Sequence, residues 1–183
     1  DLTDNEEKKF LFVGSLEKRK NLMGLLRAFE RTGLAKEGYS LKIVGMDGNG
    51  AGEIRELSQK IVGVELLGFV GEETLMGLYA NCKAFIYPSF WEGFGMPLLE
   101  AMAHGCVCVS THTGASPEVG GDSVLYVDPC SIDSIAAGIL AAERMGQEAR
   151  GKMKALSLAR AKLFTFDRYY KKLKEALLFP DEL

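Results

Sequence analysis

The chain has 183 residues, 47% hydrophobic and 26% charged, with a net charge of −3 and an isoelectric point near 5.5. This is the composition of a globular domain long enough for a sizeable core, and its acidity argues against a nucleic-acid binder. No run approaches the ~20 apolar residues that a bilayer span requires, and the first residues do not read as a signal peptide.

Apolar runs alternate with longer amphipathic stretches along the chain. A strand is predicted over 9–14, then a helix over 21–32. Strand 40–45 precedes helix 51–62, strand 64–68 precedes helix 72–81, and strand 84–87 precedes a short helix over 97–104. Strand 107–110 leads through a polar loop to strand 124–127, and helices follow over 131–144, 147–163 and 165–178. Several strands are apolar on both faces, the pattern of a parallel sheet covered by helices on each side. The repeating order predicts an α/β fold: a Rossmann-like, open, doubly wound parallel sheet of about six strands with extra C-terminal helices. Neither a linker nor an internal repeat divides it, so residues 1–183 read as one domain.

Charge is unevenly spread. Residues 1–148 carry 13 basic and 21 acidic side chains, whereas 149–178 carry nine and two. A basic helical tail suits an anionic membrane or acidic partner, and it equally suits the solvated face of terminal helices. The four cysteines, Cys82, Cys106, Cys108 and Cys130, form no Cys-x-x-Cys pair and, with two histidines, make no metal set. No metal or other cofactor is therefore expected. Cys106 and Cys108 fall in an apolar stretch, as small buried thiols do, and a reducing cytoplasm is the natural setting.

In doubly wound sheets ligands sit at the carboxyl ends of the strands. The loops at that end are 14–21, 45–51, 68–72, 89–96 and 111–117. The first, Gly14-Ser15-Leu16-Glu17-Lys18-Arg19-Lys20-Asn21, sets three adjacent cations at a helix entrance. Arg19 and Lys20 suit a diphosphate, since Arg grips two oxygens at once; a solvated charge cluster is the other reading. Cations at a helix start oppose its dipole, a local cost that favours a ligand role. The second loop, Gly45-Met46-Asp47-Gly48-Asn49-Gly50, misses the dinucleotide-binding spacing, and a tight turn explains it equally well. The third, Gly68-Phe69-Val70-Gly71, either frames a base or simply turns the chain.

The fourth loop is the most informative. Glu92 and Glu100 flank Gly93-Phe94-Gly95-Met96-Pro97, where Pro97 opens the short helix and His104-Gly105 ends it. Glu92 then lies just before the helix and Glu100 one turn inside it, and both can face the space into which the first backbone N–H groups point. A ligand with hydroxyls at two places and a phosphate between them fits, and a nucleotide-sugar has that layout. The competing reading makes Glu92 a surface residue, Glu100 a dipole partner, and Trp91, Phe94 and Met96 core. In the fifth loop His112 either touches ligand phosphate or an acceptor or is simply exposed, and neither it nor His104 reads as a general base.

Taken together, these residues resemble the C-terminal, nucleotide-sugar-binding domain of retaining glycosyltransferases of family four, which have the two-domain GT-B fold. The resemblance rests on the string Phe12 to Asn21, the Glu92/Glu100 pair with seven residues between, Ser116-Pro117-Glu118-Val119 and Tyr126-Val127-Asp128-Pro129. It extends from about Phe10 to Tyr170. It implies that Arg19 and Lys20 bind the donor diphosphate, with Arg19 supplying a charge the family often carries where this chain has Ser15. It implies that Glu92 contacts the transferred sugar and stabilises positive charge at the anomeric carbon, while Glu100 accepts from the ribose hydroxyls. The amides near Phe94, Gly95 and Met96, ahead of Pro97, would hold sugar or phosphate, and Val70 would lie near the base.

The Arg-Lys-Asn form points to GDP-mannose, with UDP-hexoses the other donors, and to a glycan or lipid-linked acceptor. The resemblance further implies an N-terminal acceptor domain of comparable size, absent here, to which the helix Phe166 to Leu178 would cross back. A processed chain or a piece of a longer protein is expected, binding nucleotide weakly and transferring nothing alone. The whole enzyme would be cytoplasmic or peripheral to the inner face of a membrane. A GT-B epimerase or phosphorylase half and a non-catalytic Rossmann-like binding module remain as alternatives.

Overall fold

The computed structural model describes residues 8–178. One sheet holds six parallel strands: β1 (Lys9–Val13), β2 (Ser40–Val44), β3 (Val64–Gly68), β4 (Ala84–Ile86), β5 (Cys108–Thr111) and β6 (Val124–Val127). Their order across the sheet is β3-β2-β1-β4-β5-β6. The helices are α1 (Leu22–Thr32), α2 (Ala51–Lys60), α3 (Glu72–Asn81), α4 (Met96–Ala103), α5 (Ser116–Gly120), α6 (Ile132–Arg144), α7 (Gln147–Ala161) and α8 (Phe166–Leu178). The Rossmann-like α/β architecture expected from the strand–helix alternation is the one observed.

The central strands explain the layering. Phe10, Leu11 and Phe12 of β1, and every residue of β4 and β5, are buried, so both pleat faces must be covered. Right-handed crossovers put α1 and α2 on one face and α3, α4 and α5 on the other. Helix α6 then packs on α1, and α7 on α4 and α5. Helix α1 shows why such segments dock: Leu22, Leu25, Leu26 and Phe29 recur at helical spacing and are all buried, each contributing about 1.5–3 kcal/mol. Gly33, at φ 71°, ends it.

The chain winds outward from β1 to β2 and β3, then returns through α3 to β4 on the other side of β1. The direction of winding reverses between β1 and β4, which opens a crevice at their carboxyl ends. The loops after these two strands carry Arg19, Lys20 and Glu92.

Several boundaries differ from expectation by a residue or two. Helix α4 begins at Met96, so Pro97 is its second residue; Gly95, at φ 87°, makes the turn into it. A 3-10 turn over Leu34–Glu37 and the short α5 were not anticipated as separate elements. Part of the basic tail is structural. Arg150, buried, donates to the carbonyls of Lys83 (2.7 Å) and Ala142, and Arg160 donates to those of Val119 (3.1 Å) and Glu118. These bonds dock α7 on the sheet domain. On α8, Tyr170 and Leu173 are exposed.

The cysteines are free thiols, with Cys82, Cys106 and Cys108 buried and Cys130 exposed. Among the described residues, no group of three His, Cys, Asp or Glu could hold a metal ion, and no helix is long and apolar enough to cross a membrane.

Candidate functional site

After β1 the chain turns at Gly14 against the loop that follows β2. A side chain at Gly45 would overlap the Gly14 carbonyl, so these two loops touch backbone to backbone. A 3-10 turn over Lys18–Lys20 then delivers Arg19 and Lys20, and Asn21, at φ 56°, swings the chain into α1. The Asn21 amide donates to the carbonyls of Pro88 (3.0 Å) and Pro129 (2.8 Å), and the Phe90 N–H donates to the Arg19 carbonyl (3.0 Å). The loops after β1 and β4 are thus tied together before any charge is considered.

The charges meet on Glu92. Lys20 Nζ donates to Glu92 Oε1 at 2.8 Å and to the Tyr87 hydroxyl at 2.6 Å. Arg19 Nη1 donates to Glu92 Oε2 at 2.9 Å and to the Trp91 carbonyl at 3.0 Å. Each carboxylate oxygen therefore has its own cation. Glu92 is 5% exposed and Lys20 7%, while the Arg19 side chain remains 44% exposed. Burial by itself would raise the Glu92 pKa. Hydrogen bonds, first from Lys20 and also from Arg19, and the Lys20 charge act against it, and the carboxyl is held below its ordinary value. The hydrogen bond to Glu92 in turn raises Arg19, against a smaller effect of burial. Burial, followed by the Glu92 charge, pushes the Tyr87 hydroxyl upward.

The loop after β5 supports Glu92 from behind. The Ala115 N–H donates to the Glu92 carbonyl at 3.0 Å, and a side chain at Gly114, φ 57°, would overlap that same carbonyl. Thr111 Oγ1 donates to the Ser89 carbonyl at 3.0 Å. The dipeptide Gly114-Ala115 is thereby part of what fixes the Glu92 backbone.

Glu100 sits half-buried on α4, where the Tyr79 hydroxyl donates to its Oε2 at 3.1 Å. At the α4 entrance Leu98 and Leu99 direct their N–H groups at the Gly95 carbonyl. The Met96 N–H has no backbone acceptor among the described residues, and Pro97 has none to give. Trp91, Phe94 and Met96 are exposed, which removes the reading of them as core; Phe94 lies edge-on to Phe164 at 5.9 Å. Ser15 and Val70 lie half-buried on the loops after β1 and β3, outside the hydrogen-bonded cluster on Glu92. His112 is exposed and stacks on Tyr126, while His104 Nδ1 is 2.8 Å from the Glu100 carbonyl at the α4 terminus.

Three residues missed from the sequence complete the site: Tyr87, Asn21 and Tyr79. Each looks like an ordinary strand, cap or core position. A hydroxyl at an otherwise apolar strand end was the one available signal for Tyr87.

The parallel sheet in this order makes this a Rossmann-like α/β domain, with two cations and a buried carboxylate gathered at its switch point. The sequence matches the family described as Glycosyl transferases group 1 over residues 2–157, and the chain belongs to that family.

O-antigen chain mannosyltransferase B of Escherichia coli is 36% identical over 165 residues, which cover 86% of this chain and 42% of that protein. MMP alpha-(1->4)-mannosyltransferase of Mycolicibacterium hassiacum is 31% identical over 123 residues, 64% of this chain and 30% of that protein. Among solved structures, an alpha,alpha-trehalose-phosphate synthase (UDP-forming) from Burkholderia vietnamiensis superposes with a TM-score of 0.78 at 17% identity. That superposition covers 94% of this chain and 45% of the other, and it bears on the fold alone. The chain thus spans less than half the length of these relatives.

Proposed function

We propose that this chain is the donor-binding, C-terminal half of a retaining GT-B hexosyltransferase that uses a nucleotide-sugar, with GDP-mannose the favoured donor. The observation that carries the reading is the cluster at the β1/β4 switch point, where Lys20 and Arg19 each hold one oxygen of the buried Glu92. The mannosyltransferase names of the relatives support the choice of sugar.

In this reading Arg19 and Lys20 bind the donor diphosphate and stabilise the charge that builds on it as the bond to the sugar breaks. Glu92 stays ionised at neutral pH because its pKa is held down, so it accepts hydrogen bonds and does not give a proton. A carboxylate of that kind suits the hydroxyls of the transferred sugar and the positive charge that develops at the anomeric carbon. Glu100 takes the ribose hydroxyls. The amides around Phe94, Gly95 and Met96 serve the sugar or phosphate, Ser15 borders the diphosphate, Pro97 holds the helix entrance, and Val70 lies toward the base. The acceptor, a glycan or lipid-linked sugar, would be bound by an N-terminal domain outside this chain. The free thiols fit a cytoplasmic enzyme, and the basic C-terminal segment fits one working against the inner face of a membrane.

Calorimetric titration with GDP, UDP, ADP and their mannose, glucose and N-acetylglucosamine forms tests the reading. GDP-mannose is expected to bind best, and absence of binding by every one overturns the donor assignment. Sugar transfer by the 183-residue chain alone would overturn its status as half an enzyme.

A further inference from the structure

Tyr79 is 2% exposed, yet its hydroxyl reaches out of the apolar layer to the half-buried Glu100. Its ring touches two others: Phe85 of β4 at 5.7 Å and His104, stacked at 5.1 Å and 19°, from the end of α4. His104 is itself pinned, with Nδ1 2.8 Å from the Glu100 carbonyl. The phenol therefore has little freedom to leave its carboxylate. Burial, then the Glu100 charge, raises the Tyr79 pKa, so the group is a permanent donor at neutral pH.

We propose that Tyr79 is a positioning residue for Glu100: it anchors Oε2 and so presents Oε1, in one rotamer, to the ribose diol of the donor. The inference rests on the donor-site reading above and adds a residue to it. The physical reason lies in what a half-buried glutamate on a helix does without an anchor. Three side-chain torsions are then free, and a ligand must freeze them when it binds. Neutral Tyr donating to a charged acceptor is a strong, directional contact that fixes them beforehand. Tyr79 reaches Glu100 from α3, so two elements on the same face of the sheet set the orientation of one carboxylate.

The test compares GDP with 2′,3′-dideoxy-GDP on the full chain and on Tyr79→Phe, which keeps the ring and its packing. The unmodified chain is expected to prefer GDP. In Tyr79→Phe the GDP affinity should fall by about tenfold while the dideoxy affinity stays unchanged, so that the preference collapses. In a Glu100→Gln background, Tyr79→Phe should produce no further loss. Equal weakening of both nucleotides, or an unchanged preference for GDP, overturns the positioning role. Glu100→Gln alone supplies a check that does not depend on the folding of the Tyr79 variant: an undiminished preference for GDP removes the carboxylate that Tyr79 is said to serve. If the unmodified chain binds neither nucleotide, the donor reading itself fails and takes this inference with it.

Discussion

Lys20 Nζ and Glu92 Oε1 stand 2.8 Å apart although 72 positions separate them in the chain. The contact spans the line between β1 and β4, where the winding of the sheet reverses. Both groups are buried, so neither could be there alone without a large desolvation cost. Replacing Lys20 by Ala should therefore act on ligand and fold together. For a nucleoside diphosphate the expected loss is about 10- to 100-fold in affinity, read by calorimetry with GDP. Unchanged affinity would leave Lys20 with a structural role only.

Glu92→Gln tests the charge itself. Folding holds this carboxyl below its ordinary pKa, so its stabilisation is complete above the unfolded value and fades as pH drops through the folded one. The variant should be less stable by about 1–3 kcal/mol at pH 7. Urea titrations at pH 7, 5 and 3 should show that gap narrowing below about pH 4. A gap independent of pH would mean that shape, not charge, is what Gln fails to supply.

Gly114→Ala should be costly without touching a charged group. The new methyl would run into the Glu92 carbonyl from a backbone at φ 57°. A loss of about 2–4 kcal/mol is expected in denaturant unfolding, with weaker GDP-mannose binding as the Glu92 backbone shifts.

The basic tail divides into two kinds of residue. Arg150→Met, which removes donors to the Lys83 and Ala142 carbonyls, should destabilise the chain by about 2–4 kcal/mol. Lys152→Ser, on the exposed side of the same helix, should stay within about 0.5 kcal/mol. Thermal unfolding of the pair separates docking charges from solvated ones.

The alternation of apolar strands with amphipathic helices was readable because the central strands are covered on both faces and leave uninterrupted apolar runs. Phe10 to Phe12 and Ala84 to Ile86 are such runs. That Glu92, Arg19 and Lys20 come together was readable because they sit in loops whose position follows from the winding. Tyr79 and Asn21 were not. Tyr79 has the spacing of a core residue and is one, apart from a single oxygen whose partner lies 21 positions away. Asn21 looks like a helix cap, but its side chain makes no cap bond and turns to two distant carbonyls instead. Such pairings depend on how elements stack, and no local pattern encodes them. The same holds for Arg150, one cation among nine in a basic stretch, which only packing distinguishes from its neighbours.

Asn21 is the one described residue other than glycine with positive φ, and Gly24 has no side chain because one would collide with the Asn21 amide. Through Pro88 and Pro129 that amide rivets the segments following three different strands, β1, β4 and β6. Anyone retailoring this domain toward another sugar by grafting a loop will find that the three segments are not interchangeable parts. They behave as a single casting, and a graft that disturbs Asn21 or Gly24 will misalign regions that were never exchanged.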